Sequence, residues 1–191
     1  MSSQLRDKYL LYQIQTKRDA NAYAELYDRY VAGLFRFISF KVNSKEEAQD
    51  LTSEVFLRAW HYVLESRDIT SFSSLIYRIA RNIVIDHYRA RRPHISLDEE
   101  IESGNDEGHP TDLGEQIELL ETHLEANTVI EAMKLMKEEY RDVLMLRHVE
   151  GLSVGEIADI VGKTQVHVRV TMHRALKTLR TILEKQKHDN D

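Results

Sequence analysis

The chain contains no cysteine, two prolines and seven glycines in 191 residues. Without thiols there is no disulfide, no thiolate nucleophile and no cysteine-based zinc site, a composition that fits a reducing, cytoplasmic setting. So few helix breakers, beside abundant Leu, Ala, Glu, Arg and Ile, exclude a turn-rich β-sandwich and point to an all-α protein. No apolar run approaches the roughly 18 residues of a membrane helix, and residues 1–17 lack the apolar stretch of a signal peptide, so membrane insertion is not expected. Hydrophobic residues still make up 42% of the chain, enough to build the core of one medium domain or two small ones.

The formal net charge of −6 conceals a segregation. Residues 1–92 carry 15 basic and 11 acidic side chains, residues 93–128 carry 11 acidic and no Lys or Arg, and residues 129–191 carry 11 basic and 10 acidic. Read globally, an acidic chain argues against nucleic acid as a partner; read by segment, the negative charge is central and the flanks are basic or balanced.

Periodicity divides the chain in the same way. Asp19 is placed to cap a helix whose apolar positions Tyr23, Leu26, Tyr27, Tyr30, Val31, Leu34, Phe35 and Ile38 follow three-and-four spacing. Ser44 and Glu47 have the spacing of a capping box, followed by the stripe Ala48, Leu51, Val55, Ala59 and Val63, with Phe56 and Trp60 widening it. After a polar break at Ser66 to Ser74, Ser71 can cap a third helix with Leu75, Ile76, Ile79, Ala80, Ile83 and Val84 inward. Residues 1–92 therefore read as a three-helix bundle ending at Pro93. From His94 to Gly114 the Asp-, Glu-, Ser- and Gly-rich composition is that of a solvated linker, and Leu119, Leu120 and Leu124 mark its re-entry into a helix.

Beyond the linker, Val129, Ile130, Met133 and Met136 continue helically, and Tyr140, Val143, Leu144 and Leu146 form a helix stopped at Gly151. Ser153 and Glu156 make a second capping box for a short helix ending at Gly162. Thr164 then caps a long last helix with Val168, Met172, Ala175, Leu176, Leu179, Ile182 and Leu183 inward. Ala158, Gly162 and Val168 have helix-turn-helix spacing: a small residue where two helices approach, a glycine for a left-handed turn, and a valine anchoring the second helix. Gln165, Val166, Arg169, Val170, His173 and Arg174 then fall on the opposite face, the geometry of a helix entering a major groove. A helical hairpin with a solvated basic face has the same periodicity; the coincidence of cap, Gly and Ala favours DNA binding.

The stretch YRDVLMLRHVEGLSVGEIADIVGKTQVHVRVTMHRALKTL, Tyr140 to Leu179, resembles the promoter-binding fourth domain of bacterial RNA polymerase sigma factors of the extracytoplasmic-function (ECF) group. AYAELYDRYVAGLFRF, EEAQDLTSEVFLRAW and FSSLIYRIARNIVIDHYRARR resemble the second domain of that group, in the same order. The resemblance implies domain 2 over residues 1–92, a linker over 93–128 and domain 4 over 129–191. It implies two partners, core RNA polymerase and promoter DNA, and admits an anti-sigma protein or another regulator as a third. On this likeness, Asp50, Ser53, Glu54, Leu57 and Arg58 dock on the clamp of the largest polymerase subunit. Ser66 to Ser74, with Phe72 at its end, captures a flipped base of the −10 element. Arg78 and Asn82 face the −10 strand, while Arg81, Arg89, Arg91 and Arg92 hold phosphates. Thr164, Gln165, Arg169, Val170, His173 and Arg174 meet the −35 element. The chain departs from the family pattern at Leu75, usually Trp, at Ser53, usually Gln, and at Val170 and Thr171, usually a Ser-Arg pair, which bears on promoter preference.

Enzymatic readings find no support. The nine histidines are scattered without a metal-ligand spacing completed by a third group, and there is no Gly-rich phosphate loop and no nucleophile elbow. No metal, cofactor or catalytic residue is expected. A stand-alone helix-turn-helix regulator with a ligand-sensing or dimerising first domain is the alternative, but it gives no purpose to an acidic helix followed by an Arg78 and Asn82 face.

The acidic linker generates its own expectation. A negative tether between basic faces is held at high effective concentration and competes with DNA for them. Each such exposed contact is worth at most about 1 kcal/mol, yet DNA affinity is itself largely electrostatic. Replacing the acidic residues of 98–118 by Ser and Gln should raise the free chain's affinity for promoter duplex at low salt, with the gain shrinking as salt rises. Unchanged affinity at every salt concentration in a titration series would make the segment a passive tether.

Overall fold

A computed structural model describes residues 3–65, 68–91 and 126–188, and every regular element among them is helical. The chain divides into two compact units. The first is built from α1 (Ser3–Lys17), α2 (Ala20–Ser39), α3 (Lys45–Glu65) and α4 (Phe72–Arg91). The second is built from α5 (Ala126–Lys134), α6 (Glu138–Leu144), α7 (Val154–Val161), of which residues 154–158 fall in this unit, and α8 (Gln165–His188). The acidic segment 93–125, with Arg92 and the Leu119, Leu120 and Leu124 reading, lies outside the described residues.

Side-chain caps define where the helices of the first unit begin. The Asp19 carboxylate accepts from the backbone N–H groups of Asn21 and Ala22, the Ser44 hydroxyl accepts from Glu47 N–H at 3.1 Å, and Ser71 Oγ accepts from Ser74 N–H at 3.3 Å. These bonds satisfy donors that the first helical turn leaves without partners. Inward lie Leu26, Leu34 and Ile38 of α2, the whole Ala48 to Val63 stripe of α3, and Leu75, Ile76, Ala80, Ile83 and Val84 of α4.

Two features differ from the sequence reading. The bundle has four helices, not three: α1 buries Leu10, Leu11 and Ile14. Its opposite face exposes Leu5, Tyr9 and Tyr12, so apolar residues occur around the helix and blur the periodic signal. Tyr27, expected inside, is 40% exposed and instead lies against Phe56 with ring centroids 4.4 Å apart, whereas Phe37 and Tyr77 fill the interior edge-to-face at 5.4 Å.

The second unit follows its caps in the same way. Ser153 and Glu156 form a reciprocal box: Glu156 N–H donates to Ser153 Oγ at 3.3 Å and Ser153 N–H to Glu156 Oε2 at 3.0 Å. Thr164 Oγ1 accepts from His167 N–H at 3.2 Å. Gly151 and Gly162 adopt φ of +69° and +68°, left-handed turns that a β-carbon would strain. The helix expected to run from Tyr140 through Leu146 changes pitch after Leu144 into a π-helical turn, Met145–Val149. Glu150 N–H reaches back five residues to the Met145 carbonyl, and the Arg147 guanidinium donates to Leu152 O at 3.0 Å across the following bend.

A charge network fastens α1 to α2. Arg6 grips Glu25 through two bonds of 2.8 and 2.6 Å, and the buried Asp7 accepts from both the Arg29 guanidinium and the Tyr30 hydroxyl. The Arg6 hydrogen bond holds the Glu25 carboxyl below its ordinary range, so its stabilising contribution is complete above that range and disappears as pH falls through the lowered value. Asp7→Ala removes the buried carboxylate that accepts from both Arg29 and Tyr30 and should destabilise the first unit by about 1–3 kcal/mol in chemical denaturation. In the same measurement Glu25→Gln should reduce stability at neutral pH, with its difference from wild type vanishing in acid.

Candidate polymerase and promoter surfaces

Burying the Ala48 to Val63 stripe turns the other side of α3 to solvent. Asp50, Ser53, Leu57 and Arg58 are exposed and Glu54 is half-buried, at the spacing that lines residues along one helical face. Leu57, 60% exposed, is an apolar centre among charges; Glu54 and Arg58 pair across one turn. An exposed pair of this kind contributes little to stability. All five residues of the expected clamp-docking set thus share one accessible surface, suited to a partner offering an apolar contact ringed by charge.

On α4 the inward residues fix the outward ones. Arg78, Asn82 and Arg89 are exposed on one stripe, with Arg81 half-buried beside it. Arg91 closes the helix, and its side chain lies outside the described residues, as do Ser66 and Arg67 of the preceding loop. The structure corrects one residue. Phe72 is 1% exposed, its ring edge-on to Tyr23 at 6.4 Å and near Tyr30 at 5.3 Å, so it is core and not the end of a base-capturing loop. The Tyr23 hydroxyl beneath this cluster donates to the Phe56 carbonyl, and burial pushes its pKa up. Leu75 is 3% exposed as well, so that departure from the family pattern alters packing rather than the accessible surface.

On α8, Val168, Met172, Ala175, Leu176, Leu179 and Leu183 are buried as expected, and so are Ile157 and Ala158 of α7. Thr164, Gln165 and Arg169 are exposed, and Val170, His173 and Arg174 are half-buried. The Gln165 amide lies beside Gly155, where a β-carbon would stand in ordinary contact with Nε2 at 3.5 Å. Thr171 is 5% exposed, which places that departure inside the domain while Val170 stays at its edge. The sequence reading passed over His167, exposed in the first turn, whose Nε2 lies 2.9 Å from Glu139 Oε1 of α6. Its adjacency to the cap was legible; a partner 28 residues away was not.

Among the described residues no group of His, Asp and Glu is placed to hold a metal ion, and no helix is long and apolar enough to cross a membrane. The family models for Sigma-70 region 2 and Sigma-70 region 4 match residues 26–94 and 126–179. The chain is 30% identical over 190 residues to the RNA polymerase sigma-H factor of Pseudomonas aeruginosa, covering 96% of this chain and 97% of that one. It is 32% identical over 171 residues to the ECF RNA polymerase sigma factor BldN of Streptomyces coelicolor, covering 86% of this chain and 61% of the relative. The chain belongs to the ECF sigma factors. Its fold agrees: CnrH, solved in complex with the cytosolic domain of CnrY, matches with a TM-score of 0.68 at 20% identity, over 94% of this chain and 98% of that one. As a sigma factor it is a promoter-recognising subunit of RNA polymerase, and the stand-alone regulator is not favoured. The two family matches fall on the units that bear the α3, α4 and α8 surfaces.

Proposed function

We propose that this ECF factor divides promoter recognition between a domain 2 over residues 1–92 and a domain 4 over residues 129–191, joined by the acidic segment 93–128. Asp50, Ser53, Glu54, Leu57 and Arg58 dock on the clamp of the largest polymerase subunit. Arg78 and Asn82 hold the melted −10 strand, with Arg81, Arg89 and Arg91 on its phosphates. Thr164, Gln165, Arg169, Val170, His173 and Arg174 meet the −35 duplex, where Arg suits guanine and Gln suits adenine. The observation that carries this reading is the separation of faces on α3, α4 and α8: each buries one stripe and leaves Asp50, Ser53, Leu57 and Arg58, Arg78, Asn82 and Arg89, and Thr164, Gln165 and Arg169 exposed.

The factor works without chemistry of its own, in the cytoplasm, by stabilising an open promoter. Melting costs base stacking, which is offset by contacts to unstacked bases that form in the holoenzyme. The structural neighbour CnrH holds the cytosolic domain of CnrY, and a protein regulator of the anti-sigma kind is a candidate partner here.

Run-off transcription with purified core polymerase on a random-promoter library tests the function and reads its specificity together; no selected −10 and −35 sequences would contradict it. Reversing Asp50 and Glu54 to Lys should weaken binding to core polymerase at least tenfold while the helical circular dichroism signal is unchanged. Unaltered affinity removes the clamp assignment.

A further inference from the structure

The pairing of His167 with Glu139 has no evident part in holding the second unit together. Both side chains are about half exposed, 46% and 54%, and exposed pairs add little to stability. The backbone of His167 is already held by the Thr164 cap. What the pairing does fix is the imidazole. A carboxylate only accepts hydrogen bonds, so Nε2, 2.9 Å from Glu139 Oε1, must carry the hydrogen. In the neutral ring this leaves Nδ1 as an acceptor, and Nδ1 meets no partner among the described residues.

We propose that Glu139 and His167 act as one reading unit on the −35 duplex, in which the carboxylate sets the imidazole so that Nδ1 accepts a hydrogen bond from a base amino group. His167 stands in the first turn of α8, one residue from the 67%-exposed Val166 and two from Gln165 and Arg169. The N-terminal residues of a recognition helix are those that reach base edges. In the major groove the amino donors are cytosine N4 and adenine N6, while guanine and thymine offer acceptors. An acceptor nitrogen therefore selects C or A and opposes G or T. His167 is the specificity-determining residue and Glu139 its positioning residue. The inference rests on the assignment of α8 to the −35 element.

The test uses the full chain with core polymerase and a promoter set carrying all four bases at each −35 position. One position should prefer C or A, and His167→Ala should flatten that preference about tenfold, leaving the other positions intact. Glu139→Ala should flatten the same position, and the double variant should be no flatter than His167→Ala alone, the non-additivity expected of a coupled pair. Equal loss on every sequence for His167→Ala would make it a phosphate contact and overturn the proposal. So would a uniform gain for Glu139→Ala with the preference intact, which is the signature of a passive repulsive charge. Arg169→Ala is the internal reference: if it shifts −35 selection and His167→Ala does not, this inference alone fails. If the wild-type factor shows no −35 preference, the reading of α8 fails with it.

Discussion

Burial of one face of α4 governs both the stability of the first unit and what that unit can present to a partner. Phe72, Leu75, Ile76, Tyr77, Ala80, Ile83 and Val84 are all nearly inaccessible, and removing a large side chain from such a face costs about 2–5 kcal/mol. With those positions committed, helical geometry leaves no choice about where Arg78, Asn82 and Arg89 point. The register of the core is therefore also the register of the proposed nucleic-acid surface. The same constraint operates on α3, where the Ala48 to Val63 stripe turns Asp50, Leu57 and Arg58 outward, and on α8, where Val168 and Met172 turn Gln165 and Arg169 outward.

The polar chemistry divides along the same line. Inside, several polar groups find partners: Asp7 with Arg29 and Tyr30, Tyr23 with the Phe56 carbonyl, Thr52 with the Ala48 carbonyl at 2.6 Å. Outside, exposed ion pairs on the proposed surfaces, such as Glu54 with Arg58, contribute little to folding. Leu75 and Thr171 are instead buried, so a change of side chain there alters packing rather than the exposed surface.

Much of this organisation was legible because its signals are local. Asp19, Ser44, Ser71, Ser153 and Thr164 each cap the helix their spacing announces, and Gly151 and Gly162 take the left-handed turns that end the preceding ones. Signals that depend on distant partners or on exceptions to periodicity were not. Helix α1 escaped because Leu5, Tyr9 and Tyr12 sit outside while Leu10, Leu11 and Ile14 sit inside. Phe72 read as a loop residue because an aromatic at the first position of a helix has the same local context whether it turns in or out; Tyr23 and Tyr30, far away in sequence, decide it. The π-helical turn at Met145–Val149 breaks the very period used to find helices. The role of His167 depends on Glu139, which no spacing rule connects to it.

The account's central claim is that the outward face of α4 acts on separated strands and not on duplex. Arg78→Ala and Asn82→Ala are compared by run-off transcription on two templates of one promoter, one fully paired and one mismatched across the −10 region. The account predicts a larger loss on the paired template, because the mismatched one no longer requires the strand capture that these residues stabilise. Equal losses on both would contradict it and assign the α4 face to general DNA binding.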